Sequence, residues 1–363
     1  MIKGVNFGNW LVLEKWMFPE LFAGTDAEDE TYLGKALSPQ SLHERLALHR
    51  EEYIRERDFM YLKNHGINTI RIPVPWFIFE DASMDIFGPY VGGIEYLDRA
   101  FDWAEKYGLK ILIDQHTAPG SQNGFDNGGI CGICVWAKTP AYVEQTLVTL
   151  EKLAERYGDR DGLYGIQILN EPISPEMFTM IQQRYIPVDK DYAAVSAAPS
   201  HDFLVGFYQD AYRRMRRYLP EDKAVVFHDN FQLKAWKEFM RGSEWKNVVL
   251  DTHQYLGFMP DLRDKPVSEA GAVIERIGAD LKEMREYFPI VVGEWCVSNG
   301  TIEAQSDDPF VKASAYMQIA RQQLRTFEEN SDGWFFWSYK LNSNAPGWDY
   351  LACTESGWFP DKV

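Results

Sequence analysis

Positive charge is scarce in this sequence: 37 Lys and Arg stand against 54 Asp and Glu in 363 residues, a formal net charge of −17. That argues against nucleic acid or an anionic membrane as a partner, since both select for clustered Lys and Arg. Cysteine is scarcer still, with four residues, too few for a disulfide scaffold. No apolar run reaches the roughly 18 residues of a membrane span. Gly4–Gly8 reads GVNFG, so no G-x-G-x-x-G phosphate loop follows the first apolar run, and no H-x-H pair stands there for a metal. Cys131-Gly132-Ile133-Cys134 is a lone C-x-x-C in a Gly-rich loop. A zinc site wants a second ligand pair, and Cys296 and Cys353 are single, so ordinary loop thiols are expected, with no metal and no cofactor. Met1-Ile2-Lys3-Gly4 runs straight into folded-looking sequence without a basic segment and apolar core before it. The plain expectation is a reduced, cytoplasmic protein; a secreted or periplasmic one whose signal had been removed reads the same way.

What the chain does have is aromatic rings, 15% of its residues, within a composition 45% hydrophobic and 25% charged. That is globular composition, and a chain this long buries enough surface to fold without staples. No linker, repeat or charge block divides it, so residues 1–363 are expected to form a single domain. Short β-rich apolar runs recur, separated by longer amphipathic stretches. The runs are Gly4–Phe7, Ile67–Ile72, Lys110–Asp114, Tyr164–Leu169, Ala224–His228, Val248–Thr252, Ile290–Gly293 and Trp334–Trp337. The helical stretches include Glu51–Asn64, Ile94–Tyr107, Val143–Tyr157, Phe203–Tyr218, Ala272–Tyr287 and Val311–Glu328. This pattern predicts an α/β fold, a (β/α)8 TIM barrel whose active site lies at the C-terminal ends of the strands.

Those strand ends are polar. Arg71 ends the second run, Asp114-Gln115-His116 the third, Asn170-Glu171 the fourth, and Asp251-Thr252-His253-Gln254-Tyr255 the sixth. Glu294-Trp295 ends the seventh, and Trp337-Ser338-Tyr339 the eighth. In a closed barrel Glu171 and Glu294 face each other across one mouth. Glycoside hydrolysis needs such a pair, one carboxyl to protonate the leaving oxygen and one to attack or to activate water. Arg71 and Tyr255 are placed to keep one of them ionised.

At these residues the sequence resembles glycoside hydrolase family 5. The family pattern of an Arg, a His, an Asn-Glu pair, a His-x-Tyr, a second Glu and a Trp is present in order as Arg71, His116, Asn170, Glu171, His253, Tyr255, Glu294 and Trp337. The resemblance implies that Glu171 is the acid/base, Glu294 the nucleophile and Asn170 a ligand of the sugar 2-hydroxyl, with Trp337 under the reacting sugar and configuration retained through a glycosyl-enzyme. Within the family the chain is most similar to exo-β-1,3-glucanases, on three segments. Gly4–Glu14 resembles their opening strand, which makes Glu14 a ligand of the non-reducing sugar. Gly120–Asn127 resembles their loop after strand three, which puts Phe125, Asp126 and Asn127 at the substrate. Phe258 then pairs with Phe125 as the two jaws of an aromatic clamp on the next sugar, and Trp295, beside Glu294, is also expected against sugar.

The sequence departs from that likeness at Asn9, where those enzymes have a second Gly, at Cys131–Trp136, and at Pro187–Ser200, which reads as longer and as a candidate subunit contact in a monomer or homodimer. The implied activity is a retaining exo-β-1,3-glucanase that releases glucose from β-glucan and transglycosylates, with a β-glucan oligosaccharide or polysaccharide as its partner. The rivals are another family activity (endo-β-1,4-glucanase, β-1,6-glucanase or β-mannanase), a non-catalytic glucan-binding barrel, and a metal-dependent barrel hydrolase.

Overall fold

Each of the eight apolar runs becomes a strand, and the strands hydrogen-bond in parallel round a closed ring. The computed structural model describes all residues except 260, 261, 263, 264, 301, 303–306 and 361. In chain order the strands are β1 (Ile2–Asn6), β2 (Thr69–Val74), β3 (Ala82–Met84), β4 (Phe87–Tyr90), β5 (Lys110–Gln115), β6 (Leu163–Gln167), β7 (Ala224–His228), β8 (Val248–His253), β9 (Ile290–Trp295) and β10 (Gly333–Phe336). β3 and β4 form a separate antiparallel hairpin; the other eight make the barrel, which closes where β1 pairs with both β10 and β2. The predicted (β/α)8 barrel is the observed fold. No described helix is long and apolar enough to cross a membrane.

The helices that cover the barrel are α1 (Glu30–Ala36), α2 (Pro39–Tyr53), α3 (Glu56–Asn64), α4 (Ile94–Tyr107), α5 (Pro140–Tyr157), α6 (Pro175–Arg184), α7 (Lys190–Val195), α8 (His201–Met215), α9 (Val267–Met284), α10 (Pro309–Asn330) and α11 (Tyr350–Glu355). Their ends follow local chemistry. Ser200 and Asp308 cap the first turns of α8 and α10, and α4 stops at Gly108, whose φ of 65° suits a residue without a Cβ. Glu51–Asn64, expected as one helix, is instead broken between α2 and α3. Ile54 is extended, and the Asp58 carboxylate accepts from the Arg55 amide at 2.7 Å, which starts a new helix. The hairpin is not legible in the sequence, because strands of three and four residues carry no readable alternation.

Alternate residues on each strand serve two cores. Leu112, Ala224, Val226, Val249, Val291 and Phe335 plug the barrel interior, while Val225, Phe227, Leu250, Val292 and Phe336 face the helices. By alternation along β9, Val291 inside and Val292 outside would put Glu294 outside and Trp295 inside. The register with β8 and β10 slips by one residue around Gly293. This bulge turns Glu294 into the barrel and Trp295 out of it. Only glycine fits there, since a Cβ would lie 2.1 Å from the Asp251 carboxylate.

Trp295 is therefore not a substrate contact, which corrects the sequence expectation. It is fully buried, edge-on to Phe327, Trp334, Phe336 and Phe359 at centroid distances of 5.2–5.8 Å. Trp295→Ala is expected to cost about 3–5 kcal/mol of stability, as for other buried aromatic truncations. Urea denaturation measures it; an unchanged stability with a raised KM would instead mark a sugar contact.

Candidate active site

Above the apolar plug the barrel interior becomes polar, and Arg71 stands at its centre, fully buried. Its five N–H donors are all used. Nε donates to Gln167 Oε1 at 2.8 Å, and Nη1 to Asn6 Oδ1 at 2.8 Å and to Glu294 Oε1 at 2.9 Å. Nη2 donates to Asn170 Oδ1 at 2.7 Å and meets Asp114 Oδ2 at 3.1 Å. Burial opposes its charge, but Asp114, Glu294 and Asp251 outweigh that penalty and hold it raised above the usual arginine range. The Asn6 amide also donates to the carbonyl of Gly293 at 3.0 Å, so the same network braces the bulge that turns Glu294 inward.

The two glutamates have different partners. Glu294 accepts from a fixed cation, Arg71, and from the Tyr255 hydroxyl at 2.6 Å. Glu171 meets a ring that can carry a proton: His253 Nδ1 lies 2.6 Å from its Oε1, while Asn127 Nδ2 donates to Oε2 at 2.9 Å. Glu171 itself has a left-handed φ of 44°, a conformation that non-glycine residues keep only where the surroundings impose it. Burial opposes the His253 imidazolium, yet Glu294, Asp251 and Glu171 around it keep it protonated well above the ordinary histidine range. Burial also opposes ionisation of Glu171, but His253 and Asn127 hold its carboxyl below the usual range. Burial lifts Glu294 above that range, with His253 and Arg71 pulling the other way. The Glu171–His253 pair thus shares one proton, held towards the ring, beside Glu294.

His116 donates Nδ1–H to Asp114 at 2.5 Å, which leaves Nε2 to accept from the Asn170 amide at 3.4 Å. Its ring stacks on Trp337 at 5.5 Å and 11°. Beyond this centre, Glu14 is buried on the loop after β1, with its backbone N–H on Asn9 Oδ1 at 2.8 Å and its carboxylate on the Trp16 indole at 2.8 Å. Asn9, with φ 60°, takes the left-handed position that glycine would fill and anchors Glu14 as well. Burial raises Glu14 well above the usual range, and Asp126, Glu294 and Glu171 add to the shift. Asp126 accepts from the Tyr185 hydroxyl at 2.7 Å, and Phe125 lies half-buried, 6.5 Å from Tyr185. Phe258 is 59% exposed, against Tyr255 at 5.7 Å and Trp348 at 5.9 Å.

Apart from Trp295, every residue expected at the site is thus at the mouth. Several that matter were missed. Gln167 was hidden inside an apolar run, where it links Arg71 to Asp251 (Nε2 to Oδ2, 2.7 Å). Trp16 and Trp348, 5.4 Å apart, extend the rim from Glu14 towards Tyr255. The Pro187–Ser200 segment packs inward on the loop after β5, with Ser196 Oγ accepting from the Cys134 amide at 2.9 Å and the Val195 carbonyl accepting from Lys138 at 2.6 Å. All four cysteines are free and buried.

Among the described residues, one group has donor atoms close enough for a metal, Glu171, His228 and His253, all within 4.8 Å of one another. The 2.6 Å between His253 Nδ1 and Glu171 Oε1 is a hydrogen bond. Two ligands on one tetrahedral zinc would sit roughly 3.4 Å apart. That spacing does not fit a tetrahedral zinc.

Replacing Arg71 by Met strands the buried carboxylates of Asp114 and Glu294. We expect a loss of about 3–5 kcal/mol at neutral pH. The loss should shrink in acid, where the stranded carboxylates take up protons; a pH-independent loss in urea denaturation would show that charge is not the cause.

Comparison with known proteins agrees with this geometry. The chain is 32% identical over 407 residues to the probable glucan 1,3-beta-glucosidase A of Emericella nidulans, covering 100% of this chain and 90% of that one. It is 33% identical over 396 residues to the protein of the same name from Aspergillus terreus, covering 99% and 88%. Among solved structures, the rutinosidase from Aspergillus niger has the same fold, with a TM-score of 0.78 and 21% identity over 99% of this chain and 97% of that one. Residues 39–343 match the Cellulase (glycosyl hydrolase family 5) family. With both glutamates, their partners and the barrel in place, this enzyme is a glycoside hydrolase, and the chain belongs to glycoside hydrolase family 5.

Proposed function

We propose that the enzyme is a retaining exo-β-1,3-glucanase that releases glucose from the non-reducing end of β-1,3-glucan and laminari-oligosaccharides. One observation carries the retaining chemistry: His253 Nδ1 touches both carboxylates, Glu171 at 2.6 Å and Glu294 at 3.4 Å. The nearest oxygens of the pair are therefore no farther apart than those two distances combined. That bound accommodates the roughly 5–5.5 Å between carboxyl groups of a double displacement.

Glu294 attacks C1 of the glucosyl unit as the bond from C1 to the leaving oxygen breaks, and Glu171 gives that oxygen its proton. The resting proton sits towards His253. A sugar that fills the pocket expels water, which penalises the charged Glu171–His253 pair more than its neutral form and moves the proton onto Glu171. As Glu294 becomes an ester its charge disappears. Glu171, now a carboxylate, takes a proton from water, whose oxygen attacks C1, and frees both glucose and Glu294. Arg71 and Tyr255 hold Glu294 for attack, and Asn170, fixed by Arg71 and His116, meets the 2-hydroxyl.

The β-1,3 and exo assignments rest on the relatives named glucan 1,3-beta-glucosidase and on Glu14. A buried carboxyl near Glu294 and Glu171 is an acceptor for the vicinal hydroxyls of a terminal glucose. Phe125 and Phe258 offer ring faces to the C–H face of the next sugar, and an acceptor held there competes with water, which gives transglycosylation.

On laminarin the expected first product is glucose. Glu294→Gln should lose several orders of magnitude in turnover while still binding laminaritriose by calorimetry. Early release of mixed oligosaccharides, or faster action on carboxymethyl-cellulose, pustulan or mannan, would overturn the exo-β-1,3 assignment.

A further inference from the structure

Asp251 lies fully buried on β8, two residues before His253 and on the same inward face. It neither meets the sugar nor exchanges a proton in the reaction described above. Its place is nevertheless fixed by a chain of hydrogen bonds whose direction starts at Arg71, because a guanidinium can only donate. Arg71 Nε lies 2.8 Å from Gln167 on β6, so the amide oxygen of Gln167 faces Arg71 and its NH2 group points the other way. That NH2 group donates to Asp251 Oδ2 at 2.7 Å. A carboxyl oxygen that accepts from an amide near a guanidinium is held as a carboxylate. The same oxygen lies 3.2 Å from His253 Nε2. A carboxylate can only accept, so Nε2 carries a proton. His253 Nδ1 then faces Glu171 Oε1 at 2.6 Å, and one further proton lies in that bond, since two bare lone pairs do not approach so closely.

The other oxygen of Asp251, Oδ1, is buried without a hydrogen-bond partner among the described residues. It fits only because residue 293 is glycine, where a Cβ would lie 2.1 Å from it. A half-partnered buried carboxylate is costly to keep, and the bonds it does make lead to His253 and Gln167.

We infer that Asp251 is a positioning residue for acid catalysis: it keeps the Nε2 proton of His253, so the proton that passes to Glu171 is the one on Nδ1. Gln167 carries the donor direction of Arg71 to Asp251. When the proton moves, the Nδ1–H bond breaks and a Glu171 O–H bond forms, and the ring is left as the neutral Nε2–H tautomer, still bonded to Asp251. Arg71 thus orients both halves of the site, Glu294 directly and His253 through two intermediaries. An anion that accepts from Nε2 also makes the Glu171–His253 pair hold its proton more tightly. Removing the charge or the acceptor therefore makes the pair lose that proton at lower pH. The other titratable groups around the pair are Glu14 after β1, Arg71 on β2, His116 after β5, His228 and Asp229 at the end of β7, Tyr255 after β8 and Glu294 on β9. All remain when Asp251 alone is replaced. The inference rests on the reading of Glu171 as the acid.

The test is Asp251→Asn, which keeps an acceptor for Nε2 and loses the charge, beside Asp251→Leu, which loses both. Thermal melting shows which are folded, and the isosteric Asn variant carries the test if Leu does not fold. Each is assayed on phenyl β-D-glucoside, whose departure needs a proton, and on 2,4-dinitrophenyl β-D-glucoside, whose departure does not. Both variants should move the basic limb of the phenyl profile to lower pH, Leu further than Asn. At pH values on that limb they should lower the phenyl-to-dinitrophenyl ratio of kcat/KM several-fold. A folded Asn variant with the parental ratio and limb, an equal loss on both substrates with an unmoved limb, or a limb moved to higher pH overturns the inference. Failure of the parent itself to cleave either glucoside would count against the proposed function instead.

Discussion

A single guanidinium organises this enzyme. Arg71 is deprived of water and compensated by five acceptors drawn from β1, β5, β9 and the end of β6. A buried cation is tolerable only when every donor is satisfied and counter-charge is at hand. Each partner is thereby fixed: Glu294 and Asn6 on Nη1, Asn170 on Nη2, Asp114 as the orienter of His116, and Asn6 as a brace on the Gly293 bulge. The barrel supplies the ring of strand ends, and Arg71 converts it into one constellation.

The catalytic asymmetry follows from that frame. Two glutamates at the same depth differ because one meets a permanent cation and a phenol, the other a histidine that can give up a proton. The two carboxyls are distinguished by their neighbours rather than by burial, which both share. Around this centre runs an aromatic rim in which Glu14 accepts from Trp16, Asp126 accepts from Tyr185, and Phe258 packs edge-on to Tyr255.

Much of this was legible in the residues. The eight apolar runs are the eight barrel strands, and the polar residues that end them meet at one mouth, because strand period and closure leave few other arrangements. Trp295 was not legible. Adjacent residues on a regular strand face opposite ways, so Glu294 and Trp295 cannot both enter the pocket. The slip that decides which one enters lies in the pairing of β9 with its neighbours, and one strand's sequence does not show pairing. Gln167 is masked by its apolar neighbours, and Trp348 lies in a loop past the eighth barrel strand that no periodicity marks. The break at Ile54-Arg55 turns on one Asp58 cap, which a helical periodicity reading passes over.

The central claim is a double displacement at C1 by two carboxylates that share one histidine. Proton NMR during the first minutes of laminaritriose hydrolysis tests it most directly. β-Glucose should form first and mutarotate afterwards to the equilibrium mixture. α-Glucose as the first anomer would contradict the account.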